Sequence, residues 1–225
     1  MNREILGSST IDSSCLASRT LANFGCGVCT SPAMINLDGG YIVLLARLPF
    51  PPAWYGGRRQ LVQAIRKAGV RYASARRLNF APRSLDGFYT SHALEHLNRR
   101  DCRALLGGVR RWLKPGGVLR AVLPDLQLVA RNYAERSINA DQFVERTMLS
   151  FDGASARQRI MSRDYHRWTY DADSFASLLH SFGFKHITCT EVGQSHVPEF
   201  SALDRQIDER FDRARESFYI EAVAD

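Results

Sequence analysis

Residues 21–38, LANFGCGVCTSPAMINLD, decide how the rest of the chain is read. Leu21, Ala22 and Phe24 make a short apolar run that leads straight into Gly25-Cys26-Gly27, and a second run, Met34-Ile35 and Leu37, ends in Asp38. The pattern is a buried strand, a glycine turn and a second strand with a carboxylate at its carboxyl end. Glycines at a strand's end let the backbone approach a ligand that a side chain would exclude, and the acid can accept both hydroxyls of a ribose. Taken alone, a Gly-x-Gly reads first as a tight turn; the motifs downstream turn it into a nucleotide-cofactor site.

Two departures from the dinucleotide fingerprint narrow the ligand. Thr30 stands where the third glycine would be, and Asp38 lies 13 positions after Gly25 rather than about 20 beyond the motif. This argues against a pyrophosphate. Only six residues, Val28 to Ala33 with Pro32 among them, separate the glycine turn from Met34. A parallel crossover ordinarily takes about a dozen, so the first connection should hold a single helical turn or none.

At 225 residues, 45% of them hydrophobic, the chain is sized for one domain with a substantial core. The balance of 30 basic against 23 acidic residues gives +7, spread along the chain except for pairs such as Arg58-Arg59 and Arg110-Arg111. That spread describes a solvated surface better than a binding stripe. No apolar run approaches 18 residues, and residues 1–20 lack a signal peptide's apolar core, so a cytoplasmic protein without a membrane span is expected. The five cysteines are odd in number and scattered, which argues for reduced thiols. Cys26-x-x-Cys29 has no second pair nearby to complete a tetrahedral site, and no metal is expected.

In chain order, residues 1–20 read as a polar lead-in and residues 40–69 as an insertion beside the cofactor. Within it, Tyr41 to Leu48 is either a short strand or a buried helix, and Arg58 to Lys67 is a helix closed by Gly69. VRYASA (70–75) and Phe88 to Ser91 read as strands. Asp101 to Leu113 reads as a helix capped by Asp101, Lys114 to Gly117 as the turn that ends it, and Val118 to Leu123 as a central strand. Residues 126–165 read as a helical lid. A helix capped by Asp171 or Asp173 and ending at Gly183 follows, then strands over Lys185 to Val192 and Ser217 to Val223, with a surface helix or long loop over Asp204 to Glu216 between them.

NFGCG, INLD, LDGFYTSHALEHL, WLKPGGVLRAVLPD and YHRWTYDADSFASLLHSFGF together resemble the class I S-adenosylmethionine-dependent methyltransferases over most of residues 21–192. The likeness is to the subgroup with a shortened first crossover. It implies one domain over residues 1–225, with a Rossmann-like, doubly wound α/β fold. The implied sheet has seven strands, mostly parallel with the last antiparallel. The implied cofactor is S-adenosylmethionine. Carried over by position, Phe24, Gly25, Cys26 and Gly27 would pass under its methionine part, and Asp38 would hold its ribose. Ser74 and Ala75 would flank the adenine, and Ser91 and His92 would lie by the sulfonium. Asn23 and Ser74 stand where many relatives have acids, which keeps hydrogen-bonding groups but removes charge.

Methyl transfer from a sulfonium asks mainly for positioning, with a base only where the nucleophile must lose a proton. His92, His166 and Asp125 are the residues expected to serve, while His96 reads as a packing or capping histidine. Tyr165, Trp168 and Tyr170 suit either an acceptor pocket or the core. A small-molecule acceptor such as a sugar or secondary metabolite is the first expectation. Nucleic-acid methylation or binding, with no Asn-Pro-Pro-Tyr-like tetrad to support it, and a non-catalytic cofactor-fold protein are the alternatives.

Overall fold

β1 (Leu21–Phe24) and β2 (Ile35–Asp38) pair in parallel, and the ten residues between them contain no helix, as the length of the connection requires. This is a computed structural model, and it describes residues 19–50, 52–148, 165–210 and 216–225. Residues 1–18 of the expected N-terminal lead-in and residues 149–164 of the expected lid therefore lie outside the described residues.

The seven strands run in the order β3-β2-β1-β4-β5-β7-β6. β3 is Arg71–Tyr72, β4 Leu85–Ser91, β5 Leu113–Pro124, β6 Phe184–Thr190 and β7 Ser217–Ala224. β7 alone is antiparallel, to both β5 and β6. Strand order reverses at β1 and β4, so their carboxyl ends flank the crevice where an open α/β sheet holds its ligands.

Alternation along β5 divides the core. Leu119, Ala121 and Leu123 face one side, where α3 (Arg99–Trp112) and α6 (Ala172–Ser181) bury Leu105, Val109, Trp112, Phe175 and Leu179. Val118 and Val122 face the other side, against Phe200, Leu203 and Ile207 of α7 (Pro198–Arg210). A third apolar cluster, Val43, Ala46, Val62 and Ile65, joins α1 (Tyr41–Ala46) to α2 (Arg59–Lys67), with a 3-10 segment, Pro52–Arg58, between them. These elements span the connection from β2 to its parallel neighbour β3, and they resolve Tyr41 to Ala46 as helix. α4 (Leu126–Ala134) and α5 (Ala140–Met148) follow β5.

Several boundaries differ from expectation. The N-cap of α3 is Asn98, whose side chain accepts the Asp101 N–H at 2.9 Å; both residues are good caps, and the helix starts at the earlier one. β4 begins at Leu85, three residues before the expected start. β5 begins at Leu113, because Lys-Pro-Gly-Gly is a bulge inside the strand: Leu85 pairs with Leu113 and Gly87 with Val118, so two steps on β4 face five on β5. A Cβ on Gly117 would lie 2.9 Å from the Lys114 carbonyl oxygen. Lys114 Nζ spans the bulge to both Asp86 oxygens at 2.7 and 2.8 Å.

Asp204 to Arg210, the described start of the expected surface helix or loop, belong instead to α7, which packs on the sheet and buries Phe200, Leu203, Asp204 and Ile207. Asp204 receives the fully buried Arg120 of β5, with Nη2 at 2.6 Å from Oδ2, and accepts the Tyr89 hydroxyl at 2.9 Å.

Candidate functional site

A cavity of about 630 Å³ opens at the carboxyl ends of β1, β2, β4 and β5. One end is built by the glycine turn. The Gly25 and Cys26 N–H groups both donate to the Leu37 carbonyl, at 2.8 and 3.2 Å, which folds the loop back onto β2. Gly25 has φ +73°, and a Cβ there would meet the Ala93 Cβ at 2.3 Å, so only glycine fits both the turn and the close approach. The Asp38 carboxylate accepts the Gly27 N–H at 2.8 Å with Oδ2 and the Gly40 N–H at 2.5 Å with Oδ1. Each oxygen keeps a further lone pair, and Asp38 lines the cavity.

Asn23 also lines it, but its amide nitrogen is committed to the Cys29 carbonyl at 2.9 Å and to Asn36 Oδ1 at 3.2 Å. Asn36 in turn donates to the Ser31 carbonyl at 2.8 Å. These two buried amides brace a connection that has no helix to hold it. An acid at Asn23 could not donate either bond.

The opposite end is built by the residues after β4. His92 sits at φ +47°, a conformation unusual for a non-glycine residue and held here by its N–H bond to the Val122 carbonyl at 3.0 Å. Its Nδ1 lies 3.4 Å from Glu95 Oε1, and its Nε2 lies 3.3 Å from Ser217 Oγ. The Glu95 side chain is 1% exposed. Its backbone carbonyl accepts the N–H groups of Arg167 and Trp168, at 2.7 and 3.2 Å, which brings His166 Nε2 to 4.0 Å from Glu95 Oε1. Burial would raise the Glu95 pKa, but contact with His92 and the fields of His92 and His96 outweigh it and hold the carboxyl below its ordinary value. Burial pushes the His166 imidazole below its ordinary value, against the pull of Glu95. Burial, reinforced by the Asp38 charge, raises the Cys26 thiol and keeps it protonated.

Of the residues singled out from the sequence, Asn23, Gly25, Cys26, Gly27, Asp38, Ser91, His92 and His166 line this one cavity. Phe24, Ser74, Ala75 and Asp125 do not. Phe24 points into the core and stacks on Phe88, with ring centroids 6.2 Å apart. Asp125 caps α4, where Oδ1 accepts the Gln127 and Leu128 N–H groups at 2.9 and 3.3 Å. Of the aromatic segment only His166 is among the lining residues: Tyr170 is buried with its hydroxyl on Cys102 Sγ, and Trp168 stacks under Arg99.

Tyr41, Arg58 and Leu61 from the β2–β3 connection, with Glu95 and His96, are lining residues that the sequence reading missed or assigned otherwise. The signal for Glu95 lay in SHALEHL, where an acid sits among apolar residues.

A family model described as "Methyltransferase domain" matches residues 53–121. No curated protein matches the sequence. Among solved structures, the chain resembles an S-adenosylmethionine-dependent methyltransferase from Thermotoga maritima, described as a possible histamine N-methyltransferase. The identity is 12% and the TM-score 0.51, covering 92% of this chain and 83% of that one. It also resembles an S-adenosylmethionine-dependent methyltransferase from Archaeoglobus fulgidus at 14% identity and TM-score 0.50, covering 91% and 86%. At such identities the likeness is one of fold.

Proposed function

We propose that this chain, a class I S-adenosylmethionine-dependent methyltransferase by its methyltransferase-domain match and its sheet order, methylates a small molecule rather than a nucleic acid. S-adenosylmethionine supplies a methyl group already activated on a sulfonium, which leaves positioning and any proton removal to the protein. The cavity's own groups fit that cofactor. Gly27, where a Cβ would stand in open space, leaves the backbone bare at the cavity wall, and the two free lone pairs of Asp38 match the paired hydroxyls of a ribose. Because Gly27 and Gly40 already hold the carboxylate, it is aimed before any ligand arrives.

The observation that carries the choice of acceptor is the charge of the lining. Asp38, Glu95 and Glu216 face Arg58 and Arg146, and Arg146 is ion-paired with Glu216. A nucleic-acid channel needs a cationic track with free donors for phosphates, and this lining has no such excess among the described residues. A concave chamber with the glycine turn at one end and His92 and His166 at the other suits one cofactor and one small acceptor side by side. Where the acceptor must lose a proton, His92 is the candidate base, with Glu95 against its Nδ1 as the orienting group.

Titration calorimetry with S-adenosylhomocysteine tests this reading. A single site is expected, with an isotherm that RNA or duplex DNA leaves unchanged. Displacement of S-adenosylhomocysteine by nucleic acid, falling steeply with salt, would replace the small-molecule reading.

A further inference from the structure

His96 and His166 are oriented alike. His96 Nδ1 lies 3.1 Å from the Tyr165 carbonyl oxygen, and His166 Nδ1 lies 3.1 Å from the Thr147 carbonyl oxygen. A carbonyl only accepts, so each Nδ1 carries the hydrogen and each neutral ring turns an Nε2 lone pair the other way. His166 Nε2 lies 4.0 Å from Oε1 of the buried Glu95 carboxylate, and His96 stands beside both in the same cluster. Neither of the Glu95 carboxylate oxygens has a hydrogen-bond partner among the described residues. Three electron-pair donors therefore converge without a donor hydrogen between them, with one ligating atom from each residue lying within 4.8 Å of the others. His92 Nδ1 touches Oε1 from outside the cluster at 3.4 Å, and a cation at the centre would neutralise the three donors together.

We propose that Glu95, His96 and His166 bind one divalent transition-metal ion at the end of the cavity opposite the glycine turn. Two imidazoles and one carboxylate form a donor set suited to zinc and its neighbours, and they leave coordination positions open. The backbone carbonyls of Thr147 and Tyr165 act as the outer partners that fix tautomer and ring direction in metal-ligating histidines. His92 approaches Glu95 Oε1 from its own side at 3.4 Å and steadies the carboxylate. The rings of His96 and His166 lie edge to face, with planes at 67° and centroids 5.2 Å apart. Ligands about 2.0–2.2 Å from a zinc ion sit roughly 3.3 Å apart in a tetrahedron. The cluster, whose candidate ligand atoms lie within 4.8 Å of one another, would tighten on binding.

All three residues line the cavity, so the open positions face the chamber. This deepens the methyltransferase reading and rests on it: the acceptor would be one that offers an oxygen to the ion. The binding itself does not depend on that reading.

The test uses the full chain, stripped with a chelator and titrated with Zn²⁺ alone by calorimetry and with Co²⁺ alone by visible absorption. One ion per chain is expected, with the ligand-field bands of a nitrogen- and oxygen-ligated cobalt site. His96→Ala and His166→Ala should each weaken binding by about a hundredfold or more, and Glu95→Gln should do the same; if Glu95→Gln fails to fold, the two histidine variants decide. Asp38→Asn should keep full metal affinity while losing cofactor affinity, which separates this site from the methyltransferase reading. Absence of stoichiometric binding overturns the proposal, as does binding that survives both histidine variants. Thiolate-to-cobalt charge-transfer bands abolished by Cys26→Ser would overturn it too, by placing the ion at Cys26-x-x-Cys29.

Discussion

On the proposed ribose role, Asp38 is the residue whose replacement reads most directly on cofactor binding. Asp38→Asn keeps the shape but turns one acceptor oxygen into a donor, so one of the bonds to Gly27, Gly40 or the ribose must be lost. A charge-assisted hydrogen bond contributes about 1.5–3 kcal/mol, so affinity for S-adenosylhomocysteine should fall about tenfold or more in calorimetry, with the melting temperature of the free protein little changed. Gly25→Ala should be harsher, because the methyl group meets Ala93 Cβ and the φ is unfavourable; cofactor binding is expected to vanish from the isotherm. Loss of His92 should lower turnover of a genuine acceptor by about a hundredfold if a base is used, and an unchanged rate would mean catalysis by positioning alone. That Asp38, Gly25 and His92 lie together at the cavity was legible in the sequence, because each belongs to a local motif whose spacing carries its place in the fold. Asp125 was misread for the same reason: an acid after a strand serves equally as an N-cap, and only the neighbouring N–H groups decide.

Among elements, the β4–β5 bulge carries a pH dependence. Burial would raise the Asp86 pKa, but the Lys114 ammonium and the Thr20 N–H outweigh it and lower the carboxyl below 3.8. A depressed folded-state pKa means that the stability from this contact is present above the unfolded value of 3.8 and is lost as pH falls through the folded value. Melting temperature in acid should therefore drop more steeply for the native protein than for Asp86→Asn, with the two curves converging at the acid end. Parallel curves would remove Asp86 from the account. The bulge was hidden in the sequence because paired glycines after a helix signal a turn, and a strand that absorbs extra residues presents the same letters. The helix-free connection from β1 to β2 was legible because it follows from counting residues. The burial of α7 was not, since its charged residues mask the stripe formed by Phe200, Leu203 and Ile207.

At the scale of the whole molecule, Arg120 joins five elements. It pairs with Asp204 of α7, faces Glu221 of β7 at 3.7 Å and donates to Thr190 of β6 at 2.5 Å, while Tyr89 of β4 shares its Asp204 partner. Arg120→Met would leave Asp204 and Glu221 buried without their cation, a change that costs about 3–5 kcal/mol and should appear as a lower urea midpoint. Asp204→Leu in the same chain should recover part of that loss. The sequence marks Arg120 only as an interruption of an apolar run, because its partner lies 84 residues away. The position of β7 has a consequence in time. β6 is made before β7, yet its ladder neighbour in the sheet is β7, inserted between it and β5. On the ribosome the first five strands can therefore assemble while β6 waits with both edges unsatisfied, and the last strand to emerge closes the sheet.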